Sequence, residues 1–549
     1  MTIEKKLLGT SPSGGAANVA EVFSTFLYTG AGGTQTITNG IDLSGEGGLV
    51  WVKHRTAAIA HMLVDTERGV KRSISSNTTT AQTPANANNV DAFYSTGFQV
   101  GPDASTNQPN GKFASWTFRK KEKFFDIVTY TGNYVTDREI PHGLGGPVGM
   151  LVVKKLNAGD NWKIWHRSVS NKTLILNNSS AASTSNAAYY FGNDSSVVNP
   201  TSTNFTVGTA SDLNSNGSTY VAYLFADNSS EDAEDQMIKC GSYTTDGSGN
   251  ATIDLGWEPQ FVITKKTNGT SDWNIWDTMR GWSNGSNYDY IVANTAAAET
   301  GNSNYGNPTS TGFTSNGVIG YNSSGIYMAI RAPMMKEPEA ATDVFGMSNA
   351  MTQPLPAFNS TFPVDMSLNK RPAYGQNISI GSRLQGTKHL YTDTTGAEVN
   401  EVEYVWDFMD GWGGFNSSNS DYQSWNWKRA KGYMDVVCYK GTGSARTQAH
   451  SLGVVPEMMW VFNRAANYFH PVYHKALPIT QRLQGEDVDP AATQDMWNST
   501  TPTDSLLSVS SHPSVNASNG NYIAILFATL AGISKCGSYT GNGSYQTIS

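Results

Sequence analysis

The chain has 549 residues, with 37 Lys plus Arg against 45 Asp plus Glu, a formal net charge of −8 and only 15% charged residues. Soluble proteins usually carry about 25% charged residues, and without a surplus of cations to displace counterions a binder that works by neutralising nucleic-acid phosphates is excluded. Fourteen Trp, 25 Tyr and 21 Phe stand beside 54 Gly, which excludes a disordered low-complexity polymer.

Residues 1–21 (MTIEKKLLGTSPSGGAANVAE) are rich in Gly, Ser and Ala and have no core of their own, as expected of an arm that orders on a partner. No run approaches the roughly 18 apolar residues of a membrane span, and the N-terminus lacks the apolar stretch of a secretory signal. Three Cys, at 240, 438 and 536, are too few and too odd for a disulfide framework and point to a protein made in a reducing cytoplasm.

A self-similar opening element then recurs: FLYTGAGGTQTI around Tyr28, VTYTGNYVTDREI around Tyr130, CGSYTTDGSGNATI around Tyr243, VCYKGTGSARTQA around Tyr439 and CGSYTGNGSYQTI around Tyr539. The spacing is roughly 100 residues except between Tyr243 and Tyr439, where a gap nearly twice as long should hide a divergent copy. Closing elements locate it, since short alternating apolar strands end at Phe118, Phe225, Ile330, Trp427 and Phe527. In the fourth copy the opening strand is expected to be degraded, replaced by the Pro-rich PLPAFNSTFPVDM.

Between these landmarks the order is constant. HGLGGPVGMLVVKK, LGWEPQFVITKK and HSLGVVPEMMWVFN each set a Gly turn and a Pro before an apolar strand, and GEGGLVWVK is the version in the first copy. An acidic or aromatic strand with an Arg turn follows, at Asp65–Arg68, Trp165–Arg167, Asp277–Arg280 and Ser382–Arg383, and then a Gly-aromatic strand such as Gly97–Phe98 or Gly312–Phe313. Short runs with period-two alternation, bounded by Gly, Asn, Asp and Ser turns, predict an all-β chain with little helix. The fold expected is a series of antiparallel β-sandwiches of about 100 residues each, jelly-roll or concanavalin-like, with small polar residues on the outward strand faces.

The expected division is 1–21, an N-terminal attachment arm; 22–120, 121–237 and 238–335, three modules; 336–431, a divergent fourth; 432–533, a fifth; and 534–549, the first strand of a truncated sixth. Joints at 119–123 and 428–431 are short and basic, the acidic joint 227–236 reads as flexible, and the Pro-flanked 333–338 as stiffer. An elongated string or a compact arch of modules is the expected shape.

The YTG opening, the HGLG run with its Pro and apolar strand, the D-T-x-R-G turn, the GF strand and the closing YVAYLF together resemble a repeated domain of tailed-bacteriophage virion proteins, mainly from phages of marine bacteria and cyanobacteria. The N-terminal run resembles the start of such proteins. The resemblance implies a tail-fibre or structural role, a lectin-like sandwich and a homo-oligomer, with a trimer as the default, and it implies no defined ligand.

Enzymatic signatures such as HExxH, a Walker loop, GxSxG or CxxC are absent from the sequence. His470 and His474 in HPVYH would lie on one strand face about 13 Å apart, too far for a shared metal. Glu401 and Glu403 would face one side of a strand as a glycosidase pair might, with Asp407 too distant to complete it, and exposed charges explain them equally well. Asp246–Asn250 reads as a hairpin turn before a Ca²⁺ loop. Arg68, Arg280 and Arg383 recur at one module position and read as scaffold. The three Cys read as small buried residues on the strand face opposite the module Tyr. Trp257, Trp282, Tyr288, Tyr290, Trp412 and Trp497 are the candidates for stacking on a glycan or anchoring a partner, with core packing the first reading for any single one of them.

The expectation is a non-enzymatic virion structural protein, a tail fibre or tail-associated protein mediating particle architecture and host attachment. It is assembled in the host cytoplasm and docks on other virion proteins through residues 1–21. No cofactor, metal, nucleic acid or membrane insertion is expected; host surface glycan is a candidate ligand. The alternatives are a lectin-like adhesin, a capsid-decorating fibre and a glycan depolymerase.

Overall fold

The computed structural model describes residues 18–85, 88–232, 235–284, 288–303, 305–333, 335–415 and 418–548. Strand makes up 38% of the chain and helix 5%. The α-helices among the described residues are single turns such as Ala104–Asn107 and Pro513–Asn516, capped by the side chains of Asp103 and His512. Val, Ile, Thr and aromatic residues fill the runs, and Gly, Asn, Asp and Ser interrupt them before a helix can nucleate.

One strand order recurs five times. In the first sandwich the opening strand Phe23–Thr29 pairs with the closing strand Lys112–Arg119, which pairs with a central strand Gly48–His54, which pairs with an outer strand Met62–Asp65. The second sandwich repeats this with Phe125–Thr131, Thr219–Ala226, Val148–Lys155 and Lys163–His166. The third uses Ile238–Thr244, Ser324–Arg331, Pro259–Lys266 and Asn274–Asp277. In the fourth the strands are Phe345–Ser348, Gln423–Trp427, Met366–Lys370 and Ser379–Ser382. The fifth has Met434–Lys440, Asn521–Phe527, Met458–Asn463 and Pro471–His474. All pairs are antiparallel, and each sandwich adds a small second sheet, such as Gln35–Thr38 with Gly97–Val100 or Arg446–Ala449 with Leu506–Val509.

Both faces of the central strands of the first two sandwiches are covered, since every residue of Gly48–His54 and of Val148–Lys155 is buried. One face packs on the small sheet of its own sandwich, where Val50 and Val52 join Ile37 and Phe98. The other face meets the neighbouring sandwiches, and the first three share one continuous core. The Phe118 ring stands 5.5 Å from Phe125, 5.4 Å from Phe225 and 6.2 Å from Phe261, which joins all three sandwiches through aromatic contacts. The fourth and fifth share a second core that includes Met366, Leu384, Met434, Cys438 and Ile525.

This packing corrects several expectations. The first three sandwiches form a cluster around a common core and not a string, and the large sheets turn apolar faces to their neighbours where small polar residues were expected. The opening strand of the fourth sandwich is intact at Phe345–Ser348, upstream of the Pro-rich run, which instead contributes Phe358–Asn359 to the small sheet and leads into the central strand. The acidic joint is anchored at its start: Asp227 and Asn228 are buried, Asp227 pairs with Arg167 and accepts from the Cys240 amide at 2.9 Å, and Asn228 donates to the Lys123 carbonyl at 2.8 Å. Residues 1–17 of the expected arm lie outside the described residues, while Asn18 caps the turn Val19–Glu21 and Val19 is buried in the shared core. Residues 535–548 form no strand.

Candidate functional site

The recurring charged turns sit where sandwiches meet. In the first sandwich the outer strand ends at Asp65, and the turn carries Arg68 back so that its Nε lies 2.5 Å from the Asp65 carboxylate, with both side chains buried. The second sandwich completes this pair, for Tyr223 on its closing strand donates to Asp65 at 2.7 Å and accepts from Arg68 at 3.2 Å. The third sandwich repeats the turn with Asp277 and Arg280 at 2.6 Å, and the first sandwich completes it through the Trp116 indole N–H, 2.9 Å from Asp277. Burial works against the charge on both guanidiniums, but their carboxylate partners outweigh it and raise both pKa values.

Two further sets of three contacts run in the same cyclic sense, with the second sandwich docking on the first, the third on the second and the first on the third. The residue before each outer strand reaches a neighbour's backbone: Trp162 donates to the Ser75 carbonyl at 3.0 Å, Trp273 to that of Ile175 at 2.8 Å, and His61 contacts that of Val292 at 3.1 Å. One lysine of each central strand does likewise. Lys154 donates to Thr79 at 2.9 Å, Lys265 to Ser179 at 3.2 Å and Lys53 to Ala296 at 3.2 Å. Burial pushes each of these three lysines down to about 8. The ring of three is therefore closed by equivalent polar contacts around an apolar centre.

A buried charge cluster ties this ring to the fourth sandwich. Arg55 lies 2.6 Å from Glu299 and 2.7 Å from Asp407, and Glu299 also holds Arg280 at 2.7 Å. Arg383 donates to the Trp406 and Val364 carbonyls at 2.5 and 3.0 Å, within the fourth sandwich. All three turn arginines named from the sequence are thus buried and hydrogen-bonded to protein groups.

The aromatic candidates lie elsewhere than a ligand would need them. Trp257, Trp282, Trp412 and Trp497 are buried, which gives these four the core-packing reading and removes them as stacking candidates. Trp282 donates to the Gly306 carbonyl at 2.9 Å, and Trp412 donates to Asn426 at 2.8 Å while stacking on Phe358 and Trp406. Tyr290 is half-buried against Tyr305, and the side chain of Tyr288 falls outside the described residues. No sequence signal separated these tryptophans from surface ones, because each sits in a loop or short strand where both fates look alike.

Glu401 and Glu403 lie in a turn after Val399–Asn400 and not along a strand. The neighbouring Glu403 carboxyl raises the pKa of Glu401. Asp407 is taken by Arg55. His470 contacts the Thr394 carbonyl at 2.7 Å and the His474 ring accepts from Ala476, so the two face separate backbone groups. Asp246 accepts from the Ser248 and Asn250 amides at 2.8 Å each and closes its hairpin turn. Cys240 and Cys438 are buried, and burial raises both thiols, Cys438 to about 11; Cys536 is half-exposed. Among the described residues no three His, Cys, Asp or Glu side chains converge on a metal position.

An open groove of about 730 Å³ follows the joint between the first two sandwiches, lined by Glu46, Glu67, Lys120, Asp126 and His142. Within it Lys120 lies 2.7 Å from Glu67 and 3.4 Å from Asp126.

A profile described as a domain of unknown function, DUF7483, matches residues 18–333 and 362–547. The chain belongs to the DUF7483 family. The first matched stretch spans the closed ring of three sandwiches, and the second reaches beyond the last strand of the fifth. No curated protein and no solved structure matches this DUF7483 chain.

Proposed function

We propose that the protein is a non-enzymatic structural component of a tailed-bacteriophage particle, part of a tail fibre or a tail-associated assembly. The observation that carries the structural half of this reading is the use of the recurring charged turns: Asp65–Arg68 and Asp277–Arg280, the most chemically endowed repeats of the chain, are closed by Tyr223 and Trp116 of adjacent sandwiches and so serve as joints. A body whose charged groups are committed to internal joints is suited to transmit load or set spacing. The phage half rests on the sequence resemblance.

In this proposal the five sandwiches correspond to 22–120, 121–237, 238–335, 336–431 and 432–533, and residues 1–21 attach the body to other virion proteins. Labelling position 2 on intact particles and locating the label by electron microscopy tests it. A label at the tail supports the reading, a label over the capsid moves the protein to a decorating role, and its absence from purified particles removes the proposal. The adhesin alternative loses four of its stacking candidates to the core, and the depolymerase alternative predicts reducing-end release from host polysaccharide that Glu401→Gln with Glu403→Gln abolishes.

A further inference from the structure

The fourth and fifth sandwiches reproduce one side of the ring formed by the first three. The residue before the outer strand of the fifth, His470, contacts the Thr394 carbonyl of the fourth, just as Trp162 and Trp273 reach back to their predecessors. By strand register Ile525 of the fifth closing strand is the counterpart of Trp116 and Tyr223, and it is buried in the core shared with the fourth. In the first ring a third sandwich then joins both others. Here that third side is open.

The consequence shows in the burial of equivalent residues. Four inward positions recur on the opening, central and closing strands. In the first ring all of them are buried, among them Phe23, Trp51, Trp116 and Phe118. Their register counterparts in the fourth sandwich, Phe345, Leu368, Trp425 and Trp427, are each only half-buried, as are Trp460 and Phe527 in the fifth. Of the 14 tryptophans of the chain eleven are buried, and the other three are Trp425, Trp427 and Trp460, all on this face. Two polar-contact positions are idle in the same way. Lys370 is the counterpart of Lys53, Lys154 and Lys265, and Ile378 that of His61, yet both are half-buried at the open side.

The chain itself indicates what covers the face. The paired turns Lys121–Phe125 and Ala430–Met434 deliver the chain from one closing strand into the next opening strand, and Leu530–Ser534 repeats them after the fifth sandwich, with backbone bonds of 3.1 and 2.9 Å. Residues 536–540 (CGSYT) then repeat residues 240–244, but Tyr539 is 68% exposed whereas its counterparts Tyr243 and Tyr439 are buried at 8% and 4%. The family match runs on through residue 547.

We infer that the face formed by Phe345, Trp425, Trp427, Trp460 and Phe527 is the docking surface for a sixth sandwich of the same fold, whose opening strand begins at Ser534 and which closes a second ring of three. The closing strand of that sandwich covers the outer strand of the fifth near His474, and its own outer strand receives Trp425.

Acrylamide quenching of tryptophan fluorescence reads this face directly, because the three accessible tryptophans are the ones on it. The full chain is compared with a chimera in which residues 254–333 follow Ile548, and with a second in which residues 238–333 follow Ile533, so that the added sandwich also exists with its own native opening strand. Loss of the quenchable component in either chimera, and its return on Trp460→Glu, is the expected result. Retained quenching in both chimeras, whether the added segment folds apart from the face or does not fold, overturns the inference. So does concentration-dependent dimerisation of the unextended chain that Trp460→Glu abolishes, since a second copy is then the occupant.

Discussion

Tyr223 and Asp65 belong to different sandwiches, and the phenol of one donates a 2.7 Å hydrogen bond to the carboxylate of the other where both side chains are buried. The carboxylate keeps Arg68 as its charge partner, so Tyr223→Phe removes two charge-assisted bonds, the one to Asp65 and the longer one from Arg68, without breaking the ion pair. A hydrogen bond to a charged group contributes about 1.5–3 kcal/mol, and the urea midpoint of Tyr223→Phe is expected to fall accordingly at an unchanged slope. In an Asp65→Asn background the same substitution should cost less, because the two residues act as one unit.

Arg280 sets a larger stake. It lies between Asp277 and Glu299, and Trp116 of the first sandwich both bonds Asp277 and stacks beneath the guanidinium with 5.4 Å to its ring centroid. Arg280→Ala leaves buried Asp277 without its cation and Glu299 with Arg55 alone, and breaking a buried pair in this way costs about 3–5 kcal/mol. Lys120→Ala, at the partly exposed groove pairs with Glu67 and Asp126, should cost under about 1 kcal/mol by the same urea assay. Equal losses at the two sites would contradict the assignment of the Asp–Arg turns as joints.

The individual sandwich was legible because its signals are local. Alternation, Gly turns and the recurring Tyr mark strand after strand, and the closing strands ending at Phe118, Phe225, Ile330, Trp427 and Phe527 lie at or within one residue of the ends found in the structure. The ring was not read, although one signal for it is present: LVWV, GMLVVKK and QFVITKK do not alternate, which is the pattern of strands buried on both faces. The cyclic contacts themselves leave no sequence trace, since Tyr223 and Asp65 are far apart in the chain and Lys53, Lys154 and Lys265 bond to backbone carbonyls that carry no residue signature. The tryptophans were ambiguous for a related reason. An indole N–H satisfied by Gly306 or Gln481 is invisible until the fold brings that carbonyl near.

Burial of the named aromatic residues makes a prediction of its own. Trp412 lies between Phe358 and Trp406 with its N–H bonded to Asn426 and Ser424, and Trp282 packs on Trp276. Trp412→Ala and Trp282→Ala should each destabilise by about 3–5 kcal/mol through cavity formation, measured as a fall in the denaturation midpoint. A variant of either that keeps full stability would contradict this account of its packing.

Acid should loosen the ring first at its histidines. His61 accepts from the Trp51 indole N–H at 2.9 Å through Nδ1 and therefore donates from Nε2 to the Val292 carbonyl of the third sandwich at 3.1 Å. His166 is arranged alike, accepting from the Ser168 amide through Nδ1 and donating to the Tyr327 carbonyl at 3.2 Å. Each ring is thus held neutral, and adding a proton at Nδ1 of His61 would set one N–H against another. Burial lowers His61 to about 3, with Lys53 adding to the effect, and lowers His166 to about 4. In the unfolded chain both titrate near 6.5. Because the folded values are depressed, stability from these groups is fully present above pH 6.5 and declines as pH falls, until the folded-state values near 4 and 3 are reached. In that window each histidine contributes a slope of about 1.4 kcal/mol per pH unit. Thermal melts between pH 7 and 4.5 should therefore show a falling midpoint, and the double variant His61→Gln, His166→Gln should flatten that dependence while lowering stability at pH 7. A wild-type slope that survives the double substitution would assign the acid sensitivity to other groups, among them His389, which burial lowers to about 4.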